Sequence, residues 1–154
     1  MKPSLSFARM EGGIGPLYPV VDDVALLKRL LAFGVKTVQL RVKDPEHPQL
    51  DAMIQEAVNC GKLCGAQVFI NDHWQKALAA GAYGIHLGQD DLKTADLAAI
   101  ANAGIRLGVS TRTADELDLA WLFILAMSRL VIFFRHLPSR CLRHHKAWRS
   151  SPST

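Results

Sequence analysis

No aspartate or glutamate occurs after Asp118 in this chain of 154 residues. The net charge of +4 is therefore an average over two unlike segments. All 14 acidic residues and 12 of the 18 basic ones lie in 1–120, a net charge of −2, and the last six basic residues give 121–154 a charge of +6. A uniformly basic surface for an anionic polymer is excluded, and only the final stretch, "FFRHLPSRCLRHHKAWRSSPST", keeps the look of a basic tail.

Cysteine is scarce as well. Cys60, Cys64 and Cys141 do not make a disulfide framework. Cys60 and Cys64 are four apart and share a face if helical. Small packed residues in a reducing compartment suit that pair better than half of a metal site. The N-terminal "MKPSLSFARMEGG" has no continuous apolar core, so no secretion signal is expected and a cytoplasmic location follows. The longest apolar stretch, Leu119 to Phe134, is interrupted by Arg129 and falls short of the roughly 20 residues of a membrane helix, which leaves a tail anchor as a minor alternative. His136, Cys141, His144 and His145 have no zinc spacing. No GxGxxG follows the first apolar run, against a dinucleotide site.

What is present is a rhythm. "LYPVV" (17–21), "TVQLR" (37–41), "QVFI" (67–70), "GIHLG" (84–88) and "IRLGV" (105–109) read as strands. Between them, Asp22 or Asp23 caps a helix that runs to Phe33 and stops at Gly34. Leu50, Met53, Ile54, Ala57 and Val58 recur at helical spacing. His73 to Ala80 forms a short helix, Thr94 opens another that Gly104 stops, and Thr113 to Glu116 is a capping box opening a fifth. Five βα units with short links imply a parallel sheet, either doubly wound or part of a (β/α)8 barrel.

In both, chemistry gathers at the C-terminal strand ends. Those ends carry Gln39, Arg41 and Lys43; then Asn71 and Asp72; then His86, Gln89, Asp90 and Asp91; then Ser110 and Thr111. Cations hold phosphate oxygens, and one or two carboxylates with waters and substrate phosphates suit Mg²⁺. Each has a plainer reading: Arg41 and Lys43 as solvated loop charges, Asp72 as a helix cap, His86 as a packed core histidine, and "QDD" as an acidic turn. Their recurrence at successive strand ends favours a diphosphate site with Mg²⁺.

The segments "LYPVVD", "VQLRVKD", "FINDHW", "YGIHLGQDDL" and "RLGVST" resemble, in order and spacing, the thiamine phosphate synthase family over about residues 15–120. The resemblance implies an incomplete TIM (β/α)8 barrel: an arm at 1–14, a partial barrel at 15–120 and a non-native tail at 121–154. It implies a transferase of thiamine biosynthesis that joins hydroxymethylpyrimidine diphosphate to thiazole phosphate and releases pyrophosphate. Gln39, Leu40, Arg41, Val42, Lys43, Asn71 and Ser110 would bind the pyrimidine substrate, with Arg41, Lys43 and Ser110 as the catalytic set. Asp72 and Asp91 would bind Mg²⁺. The partners expected are the two substrates, with neither nucleic acid nor membrane. A thiazole tautomerase on the same barrel is the runner-up, and a non-catalytic remnant that binds pyrimidine diphosphate is a third reading.

From Trp121 onward the family's "GHxFPTxTK" and "APxGL" segments are missing. Read one base out of frame, codons compatible with Ile124 to Arg149 can encode "PSYVSIGHIFPTLTKQMPSAPQGLE", which contains both in order. The expectation is a frame slip near Ala120 and a truncated, inactive synthase. Strands one and five would then keep open edges and expose apolar surface.

Overall fold

The computed structural model describes residues 17–126 and 131–134, together with 7, 8, 10 and 12; side chains after Ala120 are not described. The strands are β1 (Val20–Val21), β2 (Thr37–Leu40), β3 (Gln67–Asn71), β4 (Gly84–Leu87), β5 (Arg106–Thr111) and β6 (Val131–Phe134). The helices are α1 (Val24–Ala32), α2 (Leu50–Cys64), α3 (Trp74–Ala80), α4 (Gln89–Thr94), α5 (Leu97–Asn102) and α6 (Ala114–Ala126).

All six strands pair in parallel, in the order β1-β2-β3-β4-β5-β6. A doubly wound sheet reverses its order at a switch point, whereas a barrel adds each strand beside the last. The sequential order therefore identifies an arc of a barrel. Strands β2, β3 and β4 are buried on both faces, as parallel strands beneath a helix layer must be. Leu27, Leu31, Ile54, Val58 and Ile100 pack from the helices onto Val38, Val68, Ile85 and Leu107. Phe7 of the N-terminal arm joins this core. Lys28 to Glu56 ties α1 to α2, and Lys76 to Asp51 at 2.5 Å ties α2 to α3. Exposed pairs of this kind contribute at most about 1 kcal/mol each, so burial holds the layers together.

Local chemistry explains most boundaries. The Asp23 carboxylate caps α1 by accepting from the Ala25 and Leu26 amides. The α2 helix ends on Gly65 at φ 62°, a left-handed cap that avoids a Cβ penalty and turns the chain into β3 within two residues. Gly84 has a different reason: a Cβ there would lie 2.4 Å from the Phe69 ring, so β3 and β4 close around that ring only because Gly84 lacks one.

Three expectations are corrected. Thr94 ends a helix rather than starting one. Gln89-Asp-Asp is the first turn of α4, where acidic residues meet the positive helix end, and Asp96 caps α5 through the Ala99 amide. The first strand shrinks to two residues. Beyond the five βα units, α6 runs on to Ala126, and "VIFF" adds to β5 as β6. The β5 edge is a ready template for any apolar, β-forming segment within reach. The unpaired edges among the described residues are thus those of β1 and β6, not β1 and β5. No helix of the described residues is long and apolar enough to cross a membrane. The described residues hold no group of three or more His, Cys, Asp or Glu arranged for a metal ion, and Cys64 is exposed.

Candidate active site

At the C-terminal ends of the strands lies a cleft of about 570 Å³. Gln39 and Arg41 enter it from β2 and its following loop, Asn71 and Asp72 from β3, and His86 from β4. Gln89, Asp90 and Asp91 come from the first turn of α4, and Ser110 from β5. Not every residue named from the sequence is there. Leu40 and Val42 are core residues, 1% and 8% exposed, and do not line the cleft. Lys43 is exposed and does not line the cleft. The strand ends at Leu40, so the alternation expected to carry Lys43 onto the face of Gln39 and Arg41 is lost.

The two carboxylates behave as a pair. The Asp91 carboxyl is held above its ordinary range first by burial, then by the charge of Asp72 and a hydrogen bond to it, with a smaller push from Asp90. The Gly88 amide opposes the rise. Asp72 sits at φ 62°, the sole non-glycine residue with positive φ among those described. Asp tolerates this region better than most residues, but at a cost, and such conformations cluster at functional sites. Tight bonds fix it: the Asp72 amide donates to the His86 carbonyl at 2.9 Å, and its carbonyl accepts from the Trp74 amide at 2.7 Å. Two mutually repelling carboxylates, one on a strained backbone, fit a divalent cation better than they fit one another.

The cleft wall holds a hydrogen-bond chain. Gln39 Nε2 donates to the Tyr18 hydroxyl at 3.0 Å. The Tyr18 hydroxyl lies 3.5 Å from His86 Nδ1, the long link. His86 Nε2 and Ser110 Oγ share a hydrogen bond at 2.5 Å. These side chains thus link β2, the segment before β1, β4 and β5 along one wall of the cleft. Burial raises the Tyr18 pKa far above the normal phenol value, which keeps the hydroxyl protonated. Gln89 Nε2 donates to the Ser110 carbonyl at 2.9 Å and fixes the end of β5. His86 is 4% exposed, a packed histidine and a wall residue at once.

Tyr18, Arg112 and Glu116 also line the cleft but were not among the sequence candidates. Tyr18 looked like one more strand residue. Glu116 belonged to a capping box. The Thr113 hydroxyl does accept from the Glu116 amide at 3.1 Å, but the Glu116 carboxylate reaches back to the Arg112 amide at 2.6 Å. Placing that box at the end of β5 was the available signal.

A family model described as thiamine monophosphate synthase matches residues 17–122. The thiamine-phosphate synthase of Yersinia pseudotuberculosis serotype O:1b is 55% identical over 114 residues, covering 74% of this chain and 53% of that protein. The enzyme of the same name from Enterobacter sp. (strain 638) is 54% identical over 104 residues, 68% of this chain and 49% of that protein. The chain spans about half the length of the curated relatives it matches. A solved thiamine phosphate pyrophosphorylase from Pyrococcus furiosus superposes with a TM-score of 0.64 at 20% identity, over 80% of this chain and 61% of that one, a likeness of fold.

Proposed function

The chain belongs to the thiamine monophosphate synthase family, and from this premise we propose that its cleft is the pyrimidine-diphosphate half of a synthase site. The observation that carries the proposal is the meeting of Arg41, Asn71, the Asp72–Asp91 pair and Ser110 around one cleft at successive strand ends. The Arg41 guanidinium suits diphosphate oxygens, with a fork of donors that stays charged. The Asn71 amide and the Ser110 hydroxyl supply neutral donors, the second held by its hydrogen bond with His86. Asp72 and Asp91 would hold Mg²⁺, which when bound neutralises charge on a leaving diphosphate. The coupling of those two carboxylates favours a synthase over a tautomerase, which has no diphosphate to hold.

In the full reaction the bond from the pyrimidine methylene carbon to the diphosphate oxygen breaks, both electrons going to oxygen. The thiazole nitrogen lone pair then bonds to that carbon. No proton moves at the nitrogen, so the protein's work is positioning and electrostatic stabilisation. Lys43 would close over the diphosphate from its loop. The substrates, the Mg²⁺ requirement and a cytoplasmic setting are parts of the same proposal.

The tail at 121–154 lacks the family's thiazole-phosphate segments. We attribute it to a reading frame displaced near Ala120, which accords with a family match that stops at residue 122. Resequencing the gene across the Ala120 codon tests this, and an intact frame would overturn it. For the site, calorimetry with the pyrimidine diphosphate should show saturable, Mg²⁺-dependent binding, while a coupled assay with thiazole phosphate should yield no thiamine phosphate. Absence of binding at millimolar ligand would sink the half-site, and turnover would sink the inactivity.

A further inference from the structure

We infer that His73 is a positioning residue that pins the loop carrying Arg41, an inference that rests on the diphosphate reading of the cleft. His73 occupies the N-cap of α3, yet its side chain makes no capping hydrogen bond. The ring instead crosses to the segment after β2, where Nε2 lies 2.8 Å from the Val42 carbonyl. A carbonyl only accepts, so Nε2 carries the hydrogen and donates it.

The bond lands at a sensitive place. Arg41 lines the cleft, Val42 plants its side chain in the core, and Lys43 is already exposed. On the β1 side, the Arg41 amide donates to the Val21 carbonyl at 2.7 Å. On the β3 side, the bond from His73 is the hydrogen bond that holds this peptide among the described residues. The rest of the loop bonds to itself: Glu46 to Asp44, His47 to Asp44, and Gln49 to the His47 ring. The guanidinium is thus aimed by a backbone clamped from two strands, and His73 is one jaw. The same residue follows Asp72, and its amide donates to the Asn71 carbonyl at 2.7 Å. One residue therefore links the strained turn bearing a carboxylate to the loop bearing the cation. Groups that must act on one diphosphate are kept in register.

The test uses the full chain with His73→Ala and His73→Gln, the second restoring a nitrogen donor of similar reach. The first readout is amide hydrogen exchange at Arg41, which needs no ligand. We expect exchange to quicken about five- to tenfold in His73→Ala and to recover in His73→Gln, the scale of one lost hydrogen bond. The second is calorimetric titration with inorganic pyrophosphate and Mg²⁺, weakened by a similar factor in His73→Ala and rescued in His73→Gln at an unchanged melting temperature. Wild-type exchange at Arg41 in His73→Ala, or slowing in neither variant relative to the other, overturns the inference. If wild-type protein fails to bind pyrophosphate, the diphosphate reading falls while the exchange result still decides the role of His73.

Discussion

The two ends of the same sheet are built on different terms. At the N-terminal ends of the strands, glycines close the turns: Gly65, Gly81 and Gly104 all have positive φ. The polar groups there are matched to neighbours. The Thr37 hydroxyl donates to the Gln67 side-chain oxygen Oε1 at 2.7 Å while buried, and Arg106 lies over the Tyr83 ring at 4.0 Å. At the C-terminal ends, positive φ falls on an aspartate, two carboxylates repel one another, and Arg41 faces open space. One end is arranged for the fold's own stability. The other leaves charges unsettled, and those are the ones a ligand can satisfy.

Mutations should separate the two ends. The largest effect is expected from Gly84→Ala, which forces a Cβ into the Phe69 ring and should destabilise the protein by about 1–3 kcal/mol in urea titrations. Next, Arg41→Ala should weaken Mg²⁺-pyrophosphate binding tenfold or more, about 1.4 kcal/mol, with little change in melting temperature. Arg106→Ala should do the reverse, leaving binding intact and removing a contact worth about 0.5–1 kcal/mol of stability. Equal loss of binding in both variants would erase the distinction between the ends.

Asp91→Asn should abolish the Mg²⁺ dependence of pyrophosphate binding while making the ligand-free protein more heat-stable at neutral pH. The sign follows from the raised pKa: the fold disfavours the Asp91 charge, so this group's stability is greatest below its unfolded value and is lost as pH rises through the folded one. Melting curves of both proteins from pH 3 to 7 should therefore diverge as pH increases. The smallest change is expected at Thr111, 2% exposed, whose hydroxyl has no hydrogen-bond partner among the described residues. Thr111→Val should stabilise by up to about 1 kcal/mol, since an unmade buried hydrogen bond is removed at nearly constant shape.

Legibility in the sequence divides along similar lines. The strands of β2 to β5 and the helices α1, α2 and α3 could be read because each is a short apolar or amphipathic run closed by a cap or a glycine within it. Arg41, Asn71, Asp72, Asp91 and Ser110 could be placed on one rim because parallel topology brings strand ends together whatever their separation. The hydrogen-bond chain could not be read, since Tyr18 to His86 spans 68 positions and His86 to Ser110 spans 24. Nothing local in "LYPVV" marks its tyrosine as a partner of Gln39 and His86. The α4 helix escaped because an acidic cluster after glycine suits a turn as well as a helix start. β6 escaped because its partner is an edge, and local pattern carries no record of what a neighbouring edge will accept.

The sequential strand order also bears on how the molecule is made. Every strand docks on the one synthesised just before it, so the sheet can grow outward from β1 while the chain is still leaving the ribosome. Arg41, Asn71, Asp72, Asp91 and Ser110 all precede Thr111, where β5 ends. The five residues proposed to hold a diphosphate and Mg²⁺ are thus all encoded upstream of α6, and a change in the message beyond that point leaves every one of them in the chain.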